Sequence, residues 1–354
     1  MSGRRALIMA GGTGGHIFPG LAVATALRQR GWQVHWLGAP DSMESRVVGP
    51  QGFAFEPVRF SGLRGKGWLT LALLPLRLLR ALWQSLNVLR RIKPDVLVGL
   101  GGYITFPGSL MGVLLGKPLV LHEQNAIAGL SNRVLASLAD RVFAAFPGVL
   151  RKAQWVGNPL REAFVAQPDP DHRFAGRLGP LRLLVIGGSL GAKALNEIVP
   201  LSLALIPTAH RPVVVHQGGE RQIDALKHNY AQADVQAQLV PFIEDTAQAF
   251  AQADLVICRA GASTVTEIAA VGAAAVFVPF PFAVDDHQTA NARFLTAQGG
   301  GWLITQDALT PEWLAQLLTT VTREELRERA NKAWSLRKIQ ATAEVVRACE
   351  ELVS

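Results

Sequence analysis

Short apolar runs alternate with amphipathic stretches along the whole chain. Residues 6–9, 34–37, 55–58, 96–100, 119–122 and 142–144 are such runs in the first half. Residues 183–186, 213–216, 235–240, 255–258 and 275–278 repeat the pattern in the second. Continuous apolar runs of this length read as strands of a parallel sheet covered on both faces. Helical spacing lies between them: about Phe18 to Arg30, Asp41 to Val48 with Asp41 as the cap, and near 192–205, 219–230, 245–252 and 263–271. Strands separated by helices predict βαβ units wound into doubly wound sheets, an α/β fold. From Arg323 to Val353 the strand pattern stops, and a charged amphipathic helix is expected.

The chain has 354 residues, which favours two domains. The join is expected around Gly157-Asn158-Pro159, giving domains 1–160 and 161–336 and a terminal helical segment 337–354. Two cysteines, Cys258 and Cys349, form neither a disulfide framework nor metal-ligand spacing, which fits a reducing compartment. No signal peptide is expected, because only the short apolar run over residues 6–9 follows Arg4-Arg5 before the glycine loop. The net charge of +8 is unevenly placed. Residues 1–160 hold 18 Lys and Arg against 6 Asp and Glu, a balance of +12, and the remainder holds 17 against 21, a balance of −4. The first half is therefore suited to an anionic partner: a membrane surface or a phosphorylated substrate. Nucleic acid is disfavoured, since no recognition motif and no aromatic interleaving accompany the charge.

Two glycine loops follow apolar runs. Gly11-Gly12-Thr13-Gly14-Gly15-His16 comes after residues 6–9, and Gly187-Gly188-Ser189-Leu190-Gly191 after residues 183–186. Strand, glycine loop and helix in succession present backbone N–H groups at a positive helix end, where an anion can bind. Either loop alone can equally be a tight turn. Neither is a dinucleotide fingerprint or a Walker A loop, because the glycine register fails and no Gly-Lys-Ser/Thr follows. His16 closes the first loop and can act as a base or as a hydrogen-bonded loop residue. Arg259 to Glu267 forms a third strand–turn–helix start. Glu267 there can hold two ribose hydroxyls or simply favour the helix dipole. Asp285-Asp286-His287-Gln288-Thr289-Ala290-Asn291 follows the run ending at Val278 and suits sugar hydroxyls or a capped helix start. It offers no matching ligand set for a metal.

The stretch Trp68 to Arg91 is rich in leucine and free of acid. Arg77, Arg80, Gln84, Asn87 and Arg91 share one helical face, while Leu76, Leu79, Leu82, Trp83 and Leu86 cover another. Arg77 and Arg80 near its centre exclude a membrane span. Two readings remain: a helix packed on the sheet, or one lying at a bilayer surface with its basic rim on lipid phosphates. The pattern alone leans to the first, and the +12 balance with Arg64 and Lys66 just upstream brings the two level.

These motifs, with His122-Glu123-Gln124-Asn125 and Gly157-Asn158-Pro159 plus Arg161, occur in one order along nearly the whole chain. In that order they resemble the MurG family, the N-acetylglucosaminyltransferases of bacterial peptidoglycan synthesis. The resemblance implies a GT-B fold: two Rossmann-like domains facing a deep cleft, with the terminal helix packing back on the first. It implies transfer of GlcNAc from UDP-GlcNAc to lipid I by an inverting, metal-independent reaction that needs no cofactor. It implies that Glu267 holds the ribose and that Ser189, Leu190 and Gly191, with Arg161 and Ala262, serve the donor diphosphate. The backbone of Ile243 would read the uracil, and His287, Gln288, Asn291 and Asn125 the GlcNAc. Thr13, Gly14 and Gly15 would serve the donor too. Gly12, Thr13, His16, Gly102, Tyr103, Glu123 and Asn125 would meet the lipid acceptor, with His16 as the candidate base. The membrane patch would comprise Leu76, Leu79, Leu82, Trp83, Arg77 and Arg80. The implied location is peripheral, on the cytoplasmic face of the bacterial inner membrane, among other cell-wall synthesis proteins. The competing reading is a soluble enzyme of the same architecture, such as a UDP-GlcNAc 2-epimerase or a transferase with a soluble acceptor.

Overall fold

The computed structural model describes residues 3–60, 73–188 and 191–354. Ser189 and Leu190, Arg64 and Lys66, and the segment Trp68 to Ala72 lie outside them. The chain divides into two units, Met1–Arg161 with Ile339–Ser354, and Glu162–Lys338.

The first unit is built on a parallel sheet. Its strands are β1 (Arg5–Met9), β2 (Gln33–Gly38), β3 (Ala54–Pro57), β4 (Val96–Gly99), β5 (Leu119–Glu123), β6 (Arg141–Ala144) and β7 (Gln154–Trp155). The spatial order β3-β2-β1-β4-β5-β6-β7 reverses direction between β1 and β4. Leu7 pairs with His35 on one side and Leu97 on the other. Residues 6–9 and 96–98 are fully buried, as the unbroken apolar runs require. Helices α1 (Gly14–Gln29), α2 (Met43–Val48), α3 (Leu74–Ile92), α4 (Thr105–Leu114) and α5 (Leu130–Leu135) flank the sheet.

Four local readings are corrected here. Helix α1 begins at Gly14 rather than near Phe18, because the glycines, which carry no periodicity, form its first turn. Asp41 does not cap α2. Ser42 does, in a reciprocal box with Ser45, while Asp41 adopts φ +56° in the preceding turn. The expected strand over 235–240 shrinks to Gln238–Val240, and the helix expected near 219–230 runs from Ile223 to Gln232.

The second unit repeats the plan with β8 (Arg182–Ile186), β9 (Val213–Gln217), β10 (Gln238–Val240), β11 (Leu255–Cys258), β12 (Ala275–Phe277) and β13 (Gly301–Leu303). Its order is β10-β9-β8-β11-β12-β13, again all parallel, with the reversal between β8 and β11. The helices are α6 (Glu162–Val165), α7 (Pro170–Phe174), α8 (Lys193–Ala204), α9 (Ile223–Gln232), α10 (Thr246–Gln252), α11 (Ala262–Val271), α12 (His287–Thr296), α13 (Pro311–Thr320) and α14 (Arg323–Ser335). Asp254 is wholly buried and holds Arg177 at 2.6 Å and Arg323 at 3.1 Å, tying α14 to the start of the sheet.

The helical tail is two helices, not one. α14 stops at Ser335, and α15 (Ala341–Val353) starts afresh. α15 belongs to the first unit: Ala341, Val345, Val346, Ala348 and Cys349 enter the core that holds Ile17 and Val23 of α1. Arg30 and Glu350 close that seam at 2.6 Å. No helix among the described residues is long and apolar enough to cross a membrane.

Candidate active site

Open parallel sheets bind ligands beyond the carboxyl ends of their strands, at the point where the strand order reverses. In the first unit that point lies between the loops after β1 and β4. Gly102, at φ +82°, sits so close to Gly11 that a methyl group on it would lie 2.2 Å from the Gly11 carbonyl oxygen. Thr105 Oγ1 donates to the carbonyls of Met9 and Gly101 at 3.0 and 2.7 Å, clamping the two loops together. Thr13 is the extended N-cap of α1, so Gly14 and Gly15 occupy the first turn, where amides have no intrahelical acceptor. Gly12 behaves differently: its N–H donates to Glu44 Oε2 at 3.2 Å. Glu44 is fully buried and also accepts from Ala39 N at 3.2 Å. The Gly12 amide is thus used inside the fold, and the amides of this loop with no intrahelical acceptor are those at the α1 terminus.

His16 stands in the same first turn. Its Nδ1 lies 2.7 Å from Gln124 Oε1, in the loop after β5. Gly101 leaves the ring its room: a methyl group there would meet His16 Cε1 at 2.9 Å. Tyr103 packs edge-on against Phe60, and burial followed by the Glu44 carboxylate pushes its phenol upward. Glu123 is buried and accepts from the backbone of Asn125 at 2.9 Å, from Gly129 at 3.2 Å and from Asn132 Nδ2 at 2.9 Å. It shapes the 124–132 loop that presents half-buried Asn125 rather than facing outward itself.

In the second unit the reversal lies between the loops after β8 and β11. Gly191, at φ +75°, approaches the next loop so closely that a methyl group would meet the Gly218 carbonyl at 2.0 Å. Gln217 Nε2 donates to the Gly188 carbonyl at 3.1 Å and braces the glycine turn. Beneath it lies a buried network. His216 contacts Asn196 Oδ1 at 3.1 Å and Tyr230 Oη at 3.0 Å, and desolvation depresses its imidazole to about 3. Arg259 spans to the carbonyls of Val278 and Pro279, both at 3.1 Å, and to Gln306 Oε1 at 2.7 Å.

Ala262 opens α11, and Glu267 is half-buried further along the same helix. Ile243 lies half-buried in the loop after β10, and Arg161 is exposed at the end of the first unit. Gln288 Oε1 accepts from Ala260 N at 3.2 Å and Phe280 N at 2.9 Å. Asn291 is fully buried and donates to the Ala260 carbonyl at 3.1 Å. These two residues of α12 therefore hold the loops after β11 and β12 in register. His287 is half-buried at the start of that helix, after Asp285 and Asp286, both at φ +51°. Among the described residues no three or more His, Cys, Asp or Glu come together as a metal site.

Helix α3 settles through a third face. Ala81, Ser85, Val88, Leu89 and Ile92 are buried, while Leu76, Leu79 and Trp83 stand 64, 62 and 64% exposed and Leu82 is half-buried. Exposed large apolar side chains grouped on one helix face mark an interaction surface.

Sequence reasoning missed Glu44 and the pair His122–Gln124 as working residues of the first site. Glu44 looks like any acid in a helix's first turn, and the pair carries meaning only through partners distant in sequence.

Residues 6–144 match the glycosyltransferase family 28 N-terminal domain, and residues 182–347 match the family 28 C-terminal domain. With the two Rossmann-like sheets, this defines the class: a glycosyltransferase of the GT-B fold. A UDP-N-acetylglucosamine–N-acetylmuramyl-(pentapeptide) pyrophosphoryl-undecaprenol N-acetylglucosamine transferase from Paracidovorax citrulli is 73% identical over 351 residues, 99% of each chain. One so named from Ralstonia nicotianae is 59% identical, covering 98% of this chain and 96% of that one. The crystal structure of Acinetobacter baumannii MurG aligns with a TM-score of 0.86 at 41% identity, over 98% of this chain and 99% of that one. The chain belongs to this family, the MurG N-acetylglucosamine transferases.

Proposed function

We propose that the chain transfers GlcNAc from UDP-GlcNAc to the 4-hydroxyl of MurNAc in undecaprenyl-diphospho-MurNAc-pentapeptide, converting lipid I to lipid II. One observation carries the reading: each sheet ends at its reversal point in a glycine loop running into a helix start, in a chain 73% identical to a transferase so named. Residues 161–336 form the donor domain in this reading, and residues 1–160 with the terminal helix form the acceptor domain.

Glu267 holds the ribose hydroxyls. Gly191, the Ser189-Leu190 segment, Ala262 and Arg161 serve the diphosphate, and Ile243 the uracil. His287, Gln288 and Asn125 read the GlcNAc; Asn291 supports them by holding the Ala260 loop. In the first domain, Thr13, Gly14 and Gly15 at the α1 terminus attract the acceptor's diphosphate. Gly102 and Tyr103 shape its wall, and Gly12 and Glu123 hold the loops in form.

The reaction inverts the anomeric centre. The MurNAc O4 attacks C1 of GlcNAc, the bond from C1 to the diphosphate oxygen breaks, and UDP departs with the electron pair. His16 takes the hydroxyl proton. Helix N-termini and loop amides offset the charge gathering on the diphosphate, so this step needs no metal ion. Leu76, Leu79, Leu82 and Trp83 enter the lipid interface with Arg77 and Arg80 on its phosphates, which puts a peripheral enzyme where its lipid substrate lies.

A kinetic split tests the assignment, using UDP-GlcNAc and a short-chain lipid I analogue. His16→Ala should lower kcat by about 10²-fold or more with little change in donor KM. A loss of only a few-fold would remove His16 as the base. Conversion of UDP-GlcNAc to its 2-epimer without glycosylated lipid would favour the epimerase reading instead.

A further inference from the structure

A hydrogen-bond chain runs inward from His16 and is fixed at both turns by backbone oxygens. His122 Nε2 lies 2.8 Å from the Gly157 carbonyl, which only accepts, so Nε2 carries the His122 proton. His122 Nδ1 is then the acceptor, and Gln124 Nε2 stands 3.0 Å from it. The same amide nitrogen lies 3.0 Å from the His122 carbonyl. That second carbonyl sets the amide's orientation without reference to either ring. Gln124 must turn its oxygen toward His16, where Oε1 is 2.7 Å from Nδ1. An amide oxygen donates nothing, so His16 holds its proton on Nδ1 and its lone pair on Nε2. Gln124 and His122 are both fully buried, so water does not compete for these bonds.

We propose that Gln124, anchored by His122, is a positioning residue that locks the His16 tautomer with Nε2 as the proton acceptor. This rests on the reading of His16 as the base. The relay orients and does not conduct. When Nε2 takes the MurNAc hydroxyl proton, the imidazolium keeps its Nδ1–H on Gln124 Oε1, and the proton leaves later to solvent from Nε2. The Gln124 amide N–H is too weak an acid to hand its proton on to His122 Nδ1. His122 stays neutral in any case: desolvation, opposed by its bond to Gly157 and reinforced by His16, lowers its imidazole to about 4.

The test begins on the unmodified full-length chain. Long-range ¹H–¹⁵N spectra of protein labelled at histidine nitrogen should show His16 protonated at Nδ1 and His122 at Nε2 near neutral pH. Finding His16 protonated at Nε2 overturns the proposal without any variant. Gln124→Leu, kept only if its thermal midpoint matches wild type, should leave His16 in mixed tautomers and lower kcat about tenfold at constant donor KM. In a His16→Ala background the same change should cost nothing more. An equal loss in both backgrounds means Gln124 acts structurally, and the proposal falls. If His16→Ala alone leaves kcat intact, the base assignment fails and this catalytic role goes with it, whereas the spectra still report the lock itself.

Discussion

Replacing Leu79 by glutamate probes the membrane assignment where the fold contributes least. Leu79 is 62% exposed on α3, beside Leu76 and Trp83, and the buried face of that helix is a different one. Taking the exposed part of one leucine out of water is worth ~1–2 kcal/mol. A carboxylate in its place also meets the anionic surface unfavourably, at ~1 kcal/mol per charge. The sum of ~2–3 kcal/mol predicts roughly 30- to 150-fold weaker partitioning onto vesicles of anionic phospholipid. Sedimentation of protein with such vesicles measures this directly. Turnover on lipid-embedded acceptor should fall in parallel, turnover on a water-soluble short-chain acceptor should not, and the thermal midpoint should stay put. Leu178→Glu is the control: that leucine is 88% exposed in the other unit, and its replacement should leave partitioning unchanged. Equal vesicle binding by Leu79→Glu and wild type would refute the assignment.

Glu267→Ala should raise the KM for UDP-GlcNAc by roughly 10- to 150-fold, since a lost charged hydrogen bond is worth ~1.5–3 kcal/mol; an unchanged KM in steady-state kinetics would remove it from the donor site. Gly102→Ala forces a methyl group onto the Gly11 carbonyl at φ +82°, so kcat/KM for the lipid acceptor should drop more than tenfold while calorimetry finds UDP-GlcNAc affinity unaltered. His122 and His216 are buried with pKa values lowered to about 4 and about 3. The unfolded chain therefore binds their protons first, and stability is lost as pH falls below the ordinary histidine value of about 6.5. Denaturant titrations should show each contributing about 2 kcal/mol of decline between pH 7 and pH 5, and His216→Gln should remove its share.

The strands were legible because residues buried on both faces leave unbroken apolar runs, as at residues 6–9 and 255–258. The glycine loops were legible for a related reason, since each follows such a run directly. Where α1 begins was not, because Gly14 and Gly15 add no hydrophobic period to mark a first turn. The short strands Gln154–Trp155 and Gly301–Leu303 and the helix Pro311–Thr320 escaped notice because each is too brief or too mixed to stand out. The site was legible as motifs and illegible as mechanics. Gln288 and Asn291 read as sugar-binding amides, yet both spend hydrogen bonds on the Ala260 loop. Glu44 takes the Gly12 amide from 32 residues away, and His122 leans on a carbonyl 35 residues on. Such bonds depend on register across a sheet, which no local pattern encodes.

The most direct measurement follows the fate of both substrates in one tube. With UDP-GlcNAc labelled at the anomeric carbon and a short-chain lipid I analogue, NMR and mass spectrometry should find one UDP released per GlcNAc joined to the lipid, in a β-1,4 linkage. UDP release with no glycosylated lipid, or an α linkage in the product, would contradict it.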